Sequence, residues 1–594
     1  MMIQRMGGLA MRSLRKIFAA LVVMAMGTGP VAAFDLQLEG AQGDLQNALY
    51  DASRLAGLAP QNVTSSDQVL AAAKADYAGL LGALQARGHF AAQVRILLDG
   101  ASADGLYPVD LNEAPQNVRV LIQAGPQFQF GRVEVGPLPA GFALPQGLRA
   151  GAAALPDQIE TGVQAAIAAW RDAGHIRARA GVPIYTADHR RNVLNIRVPI
   201  VPGGAFQVGE LSPSTASDVT TPALQAIAGL PTGAALTPQV LSDGQKRLVR
   251  SGAFRFVTLS PGAGRGPVLP ITANVQDEKP RRIGFGAGFA TTDGLNLDGF
   301  FLHRNLRGGA ERLRLWASLS GVRAHGGIDS TIGARLAKPA FIGSDVTGFA
   351  QIEAEQTKDP LAQTHDLSVQ GGLQYTPVDK AALQYGGAVQ LSRTLRQDAL
   401  VDRRDWLLSA PIYAQMDRRN GRGVYAAISV EPFVQSSRAG AGLSGQVDLR
   451  GLWRFGRRLG LAALAQYTSV IGPDLTQTPA RYLVYSGGAS TVRGHDYNSL
   501  GVITSGVETG GRARILARGE LRVDLPGAWG GNVFYDWARV SAQAMPDWDD
   551  PFHSGAGIGI SYDTGFAPLR LDIATPLAGG DHGVALYLGI GQAF

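Results

Sequence analysis

The residues of this chain that could do chemistry gather in one loop. The stretch STVRGHDYNSLG, residues 490–501, sets Arg493, Gly494, His495, Asp496 and Tyr497 in a row. A guanidinium on a glycine turn reads anions, and it needs a carboxylate, a phosphate or an aromatic face if it is to leave water. Asp536 is the residue placed to meet it. In NVFYDWA, residues 532–538, alternation puts Val533, Tyr535 and Trp537 on one face and Asn532, Phe534 and Asp536 on the other. A bidentate Arg493–Asp536 pair would pin the loop to a barrel wall. A solvated arginine on an exposed turn is the equal alternative. Neither arrangement is hydrolytic. No Ser–His–Asp arrangement, metal-ligand spacing or paired-carboxylate cleft stands out, so the chain reads as a non-enzyme without cofactor or metal. The glycines of GFGAG, residues 284–288, do not form a dinucleotide site, because no βαβ unit surrounds them.

The elements that must position this loop occupy residues 280–594. Helical periodicity ends near Arg281, and about 16 short alternating runs follow, separated by Gly, Pro, Asn and Asp. ERLRLWASLSG puts Leu313, Leu315, Ala317 and Leu319 on one face and Arg312, Arg314 and Ser318 on the other. VALYLGIGQAF puts Val584, Leu586, Leu588, Ile590 and Phe594 on one face, with Ala585, Gly589, Gly591 and Ala593 opposite. Strands apolar on one side and small or polar on the other are what a transmembrane barrel needs, and lipid forces such a sheet to close. The chemical loop is expected to span Gly487–Gly511, between a strand near Tyr482–Tyr485 and one near Arg514–Val523.

Residues 34–279 follow a different grammar. Three helix–Gly–strand stretches recur, with Gly88, Gly174 and Gly252 at the helix ends, where a left-handed cap is expected. Pro156 and Pro238 sit near helix starts. A second echo, FQFGRVEV from Phe128 and FQVGEL from Phe206, repeats at 78 residues, the distance from Gly174 to Gly252. The expectation is three small α+β units, 34–125, 126–202 and 203–279, before a barrel from 280 to 594. His89 and His175 read as packing residues, since no second ligand lies at useful spacing.

Composition sets the compartment. Arg5, Arg12, Arg15 and Lys16 precede an apolar run from Ile17 to Met26, with Val31 and Ala33 ahead of a cleavage point, so residues 1–33 read as a secretory signal peptide. Those four cations account for four of the six formal net charges. The remaining +2 removes the main support for nucleic-acid binding. No later window is long and apolar enough for a transmembrane helix. The absence of Cys fits an envelope compartment.

Taken together, TVRGHDYNSLG resembles the VRG-[FY] loop signature of the BamA/TamA outer-membrane assembly-factor superfamily. NVFYDWA is similar to its F-x-D-x-G strand, GAGIGISYDTGFAPLRLDIATPL to its penultimate strands, and the repeats to its POTRA domains. His495 departs from the usual aromatic after Arg-Gly, a place Tyr497 could take, and Ala538 replaces a glycine. The resemblance implies Arg493, Gly494, His495 and Tyr497 as a loop in the lumen, with Asp536 as its anchor on the wall. It implies an outer-membrane protein with POTRA domains in the periplasm. Its expected role is to insert or translocate unfolded outer-membrane proteins, autotransporters in particular, alongside outer-membrane lipid and a TamB-like inner-membrane-anchored partner. The proposed working part is a lateral seam between RRIGFGAGFAT and the last strand. Its residues would be Gly284, Gly286 and Gly288 on one side and Leu586, Leu588, Ile590 and Phe594 on the other. Three glycines on one face weaken a strand, and a parted edge templates another strand. Room in a crowded lumen is the other reading of the glycines. The functional alternatives are a two-partner secretion pore threading an exoprotein through the lumen, and a passive barrel.

Overall fold

The computed structural model describes residues 34–590 apart from 59–64, 112, 265, 323–326, 359–361, 399–400, 420–421, 437–439, 566–567 and 581–582. The signal-peptide segment and Phe594 lie outside the described residues. The chain forms two compact units: one reaches Phe206 and includes Ala235–Thr237, and the other holds Gln207–Ala234 and everything from Pro238 onward.

The first unit carries two sheets. In one, strands Asp35–Glu39, Asn117–Gln123, Gln93–Leu98 and Ala101–Ser102 lie side by side. Leu49, Val69, Leu80 and Leu84 of the covering helices bury against Ile96, Val118 and Val120 of that sheet. In the other, helix Pro156–Asp172 lays Ile159, Val163 and Ile167 onto Phe130, Ile196 and Val198. The sequence repeat has a physical meaning here. Gly88 and Gly174 take φ of +83° and +92°, where a side chain would be strained. The following His89 and His175 N–H groups close back on Leu84 and Trp170 carbonyls, each at 3.0 Å. The Gly88 carbonyl then accepts the Phe128 N–H at 2.9 Å, and that of Gly174 accepts the Phe206 N–H at 3.0 Å. The two echoes are thus one device, a capped helix end tied to the strand that follows.

The second unit begins with a three-stranded sheet, Phe254–Pro261, Val268–Asp277 and Gln207–Pro213, and helices Thr221–Ala228 and Pro238–Arg250. It is joined to the barrel by charge. Arg247 forks onto Asp345, in a turn between barrel strands, at 3.1 and 3.0 Å, and Arg250 adds a third bond at 2.7 Å.

The barrel is closed and antiparallel, with 16 strands. The first is Arg281–Ala290 and the last Ala585–Ile590. The eighth is interrupted: Asp402–Ser409 and Ile412–Asp417 pair with the same two neighbours, with Ala410 and Pro411 between them. Outward positions are apolar and exposed, as at Ile332, Val389 and Ile558, while inward ones such as Ser392, Asp405 and Asp448 are polar and buried. That is the inverse of a soluble core and the pattern of a lipid-facing wall.

One expected strand is absent. Residues 482–485 are not in the sheet. The eleventh strand ends at Ile471, the twelfth begins at Ala513, and the loop between them is longer than the sequence suggested. The apolar run YLVY has another cause. The Tyr482 ring stacks on Phe433 at 4.4 Å inside the lumen, and its hydroxyl donates to Glu431 at 2.8 Å.

Candidate functional site

The loop 472–512 folds inward and is held from many sides. Arg396, on the seventh strand, is buried and donates to Thr509 Oγ1 at 2.9 Å. Arg481 bonds Asp366 of the sixth strand at 3.2 Å. Arg514 donates to the Tyr485 carbonyl at 2.7 Å. Within the loop, φ values of +102°, +91° and +100° at Gly487, Gly488 and Gly494 fold residues 487–495 back on themselves, and the Gly488 N–H reaches the His495 carbonyl at 3.0 Å.

Arg493 sits at the centre. Its Nε and Nη2 donate to Asp536 Oδ2 and Oδ1 at 2.6 and 2.8 Å, and its backbone N–H donates to the same carboxylate at 3.2 Å. The guanidinium lies 3.3 Å from the Phe534 ring centroid, with Asp572 at 3.2 Å and Glu520 at 3.5 Å. Asp536 has 0% exposure and takes a further bond from Arg518 at 3.2 Å. Arg570 and Arg522 bond Glu520 at 2.6 and 2.7 Å. Four guanidinium groups thus share three carboxylates on the wall formed by strands Ala513–Asp524, Trp529–Ser541 and Pro568–Ala578. Buried charges of this kind persist only when each is paired and hydrogen-bonded.

The other loop residues have separate places. Val492 is buried with Leu516 and Ala538, so the alanine in the glycine's usual place is part of that contact. His495 is buried, with Nε2 3.1 Å from the Ser554 carbonyl and its ring edge-on to His553. Tyr497 is not the ring packed on Arg493. The aromatic partner of Arg493 is Phe534, on the same inward face as Asp536.

The loop also touches both strands of the seam. The Gly494 N–H donates to Tyr587 Oη at 2.8 Å, on the last strand. The Ala489 N–H donates to Asp293 Oδ2 at 2.9 Å, in the turn after the first. Thr292 Oγ1 stands 2.6 Å from Asp293 Oδ1 and 3.2 Å from Tyr587 Oη, linking the two contacts. Tyr587, Asp293, Glu520 and Asp572 were not singled out by sequence. Inward parity marks Tyr587 and Asp572, but inward polar residues are ordinary in a lumen.

At the seam, residue pairs run from Ala287–Ile590 to Ala290–Tyr587 among the described residues. Gly288 faces Gly589, and Phe289 faces Leu588. Leu586 extends the contact, its carbonyl accepting the Thr291 N–H at 2.9 Å. Gly284 and Gly286 have no seam partner among the described residues. A Cβ on either would collide with Phe300 or Asp298 of the second strand, so these glycines make room in the lumen.

A lipid-facing cylinder with its own arginine-bearing loop folded inside defines a class of membrane barrel. Residues 305–594 match the Omp85 superfamily domain. The structure is similar to that of BamA from Haemophilus ducreyi lacking POTRA domains 1–3, with a TM-score of 0.60 and 16% identity over 78% of this chain and 99% of that one. It is also similar to CdiB from Acinetobacter baumannii, with a TM-score of 0.50 and 12% identity over 78% of this chain and 90% of that one. At these identities the likeness concerns the fold. The coverage reaches beyond the barrel into the α/β region, which resembles POTRA domains.

Proposed function

We propose that this chain is an outer-membrane assembly factor of the TamA type, which inserts or translocates autotransporters and other outer-membrane proteins through the seam between its first and last strands. Its α/β units stand in the periplasm, where exposed sheet edges receive substrate or a TamB-like partner. Residues 1–33 are a signal peptide removed on export. The role is not enzymatic. The observation that carries the reading is the loop's hold on both sides of the seam, Gly494 on Tyr587 and Ala489 on Asp293. Parting these two strands exposes a strand edge that an incoming chain can extend. The buried loop supports a lateral route over a central one, because it is anchored inside the lumen by the Arg493–Asp536 pair.

The test is a disulfide across the seam. Phe289→Cys and Leu588→Cys stand directly opposite each other, within the reach of a bridge. Oxidation is expected to stall autotransporter insertion into proteoliposomes, and reduction to restore it. A two-partner secretion pore, the second reading, would keep passing its exoprotein with the seam locked. A passive barrel would show no insertion in either state.

A further inference from the structure

We propose that the mouth of the lumen next to the third α/β unit carries a binding site for an acidic peptide segment. Arg247, Arg250, Arg282, Arg312, Arg314 and Arg335 line one cavity of about 520 Å³ there. Arg312 and Arg314 lie on the inward side of the third strand, alternating with outward Leu313 and Leu315, and Arg335 lies inward on the fourth beside outward Leu336.

The arrangement is costly without a ligand. Arg314 and Arg335 are directly opposite each other in the strand pair, and like charges so placed destabilise a sheet. Among the described residues Arg282, Arg312, Arg314 and Arg335 have no carboxylate partner; the ion pairs of the cavity both end on Asp345. Aromatic rings hold the guanidiniums without neutralising them. Arg282 and Arg314 lie 5.8 and 5.2 Å from the Phe300 centroid, and Arg335 lies 3.9 Å from that of Phe349. Gly284 contributes by leaving room for Phe300, so one seam glycine also builds this mouth.

Two features choose the ligand. Asp345, bound by Arg247 and Arg250 at the rim, shows that a carboxylate fits these guanidiniums. The unpaired arginines face the lumen, and the wall separates them from lipid, which favours a chain threading the mouth over a bilayer headgroup. An extended segment with acidic residues at every second position sets its carboxylates about 6.6–6.8 Å apart on one side, a row that the arginines of adjacent strands can answer. This site does not depend on whether the seam opens, and its test reads binding rather than insertion.

The full chain, purified in uncharged detergent, is titrated against a fluorescent twelve-residue peptide of alternating glutamate and serine, its glutamine counterpart, and micelles containing phosphatidylglycerol. The acidic peptide should bind, more weakly as salt rises, and the glutamine peptide should not. Arg314→Gln with Arg335→Gln should weaken binding by about tenfold or more, while Arg132→Gln on the second sheet leaves it unchanged. Heat-modifiable migration checks that the barrel has folded, and Arg282→Gln replaces the double variant if that fails to fold. Equal binding by the glutamine peptide, or by the folded arginine variant, overturns the proposal. So does arginine-dependent binding of the anionic lipid without binding of the peptide.

Discussion

Arg493 and Asp536 meet through two parallel bonds of 2.6 and 2.8 Å at a point where the carboxylate has no exposure. Removing one partner of a buried pair costs about 3–5 kcal/mol, because the other charge is left uncompensated. Arg493→Ala is therefore expected to unseat the loop and impair substrate insertion, while the barrel still folds and reaches the membrane. Arg493→Lys keeps the charge but loses the planar fork, and should restore part of the activity. Insertion assays at matched protein levels decide; full activity in the alanine variant removes the loop from the mechanism.

Gly494 offers a steric test of the same docking. Its φ is +100°, and an added Cβ would lie 2.7 Å from the Thr575 carbonyl carbon and 2.8 Å from the Pro576 nitrogen, both backbone atoms that cannot turn aside. Gly494→Ala should lift residues 490–496 from the wall, at a cost of about 1–3 kcal/mol in backbone strain alone. Protease sensitivity of the loop, measured beside Gly506→Ala at an open turn, reports it.

Tyr587 accepts the buried Gly494 N–H and stands beside Thr292 on the far side of the seam. Tyr587→Phe keeps the ring and leaves the N–H without its partner, a loss of about 1–3 kcal/mol. Hydrogen exchange should rise at residues 488–495 and at 586–588 together. A rise at the loop alone would separate the two.

The junction of the third α/β unit with the barrel should respond to acid. Burial pushes the Asp345 carboxyl up, but hydrogen bonds and charge from Arg247 and Arg250 more than reverse this, leaving it below its ordinary 3.8. A carboxylate depressed in the folded state stabilises at every pH above its unfolded value, and that contribution is lost as pH falls through the folded one. Exchange of helix Pro238–Arg250, taken relative to the intrinsic amide rate at each pH, should be flat from neutral pH to about 4 and rise below it. Asp345→Asn should show the raised rate at neutral pH and lose the acid response.

The barrel was legible because lipid imposes a period of two and water-filled interiors tolerate small and polar side chains, so runs such as Arg312–Val322 declare both faces. Arg493 and Asp536 stood out because each broke its local pattern, a cation on a glycine turn and a carboxylate between aromatics. Tyr482–Tyr485 misled because a short apolar run that packs against Phe433 inside the lumen has the composition of a strand. Arg396, Asp366 and Tyr587 were hidden for the opposite reason: one polar residue at an inward position carries no mark of which distant loop it will hold.

The break in the eighth strand lies half-way round the wall from the first and last strands. Pro411 has no N–H to give its neighbours there, although the ladder resumes on both sides, with Ala388 and Ala410 bonding the Pro411 and Pro432 carbonyls at 3.0 Å. A tube split along one line must flex along the line facing it. Two stiff half-shells swinging on this softened spine would need little deformation anywhere else, and the opposite edges could move apart as a pair of doors.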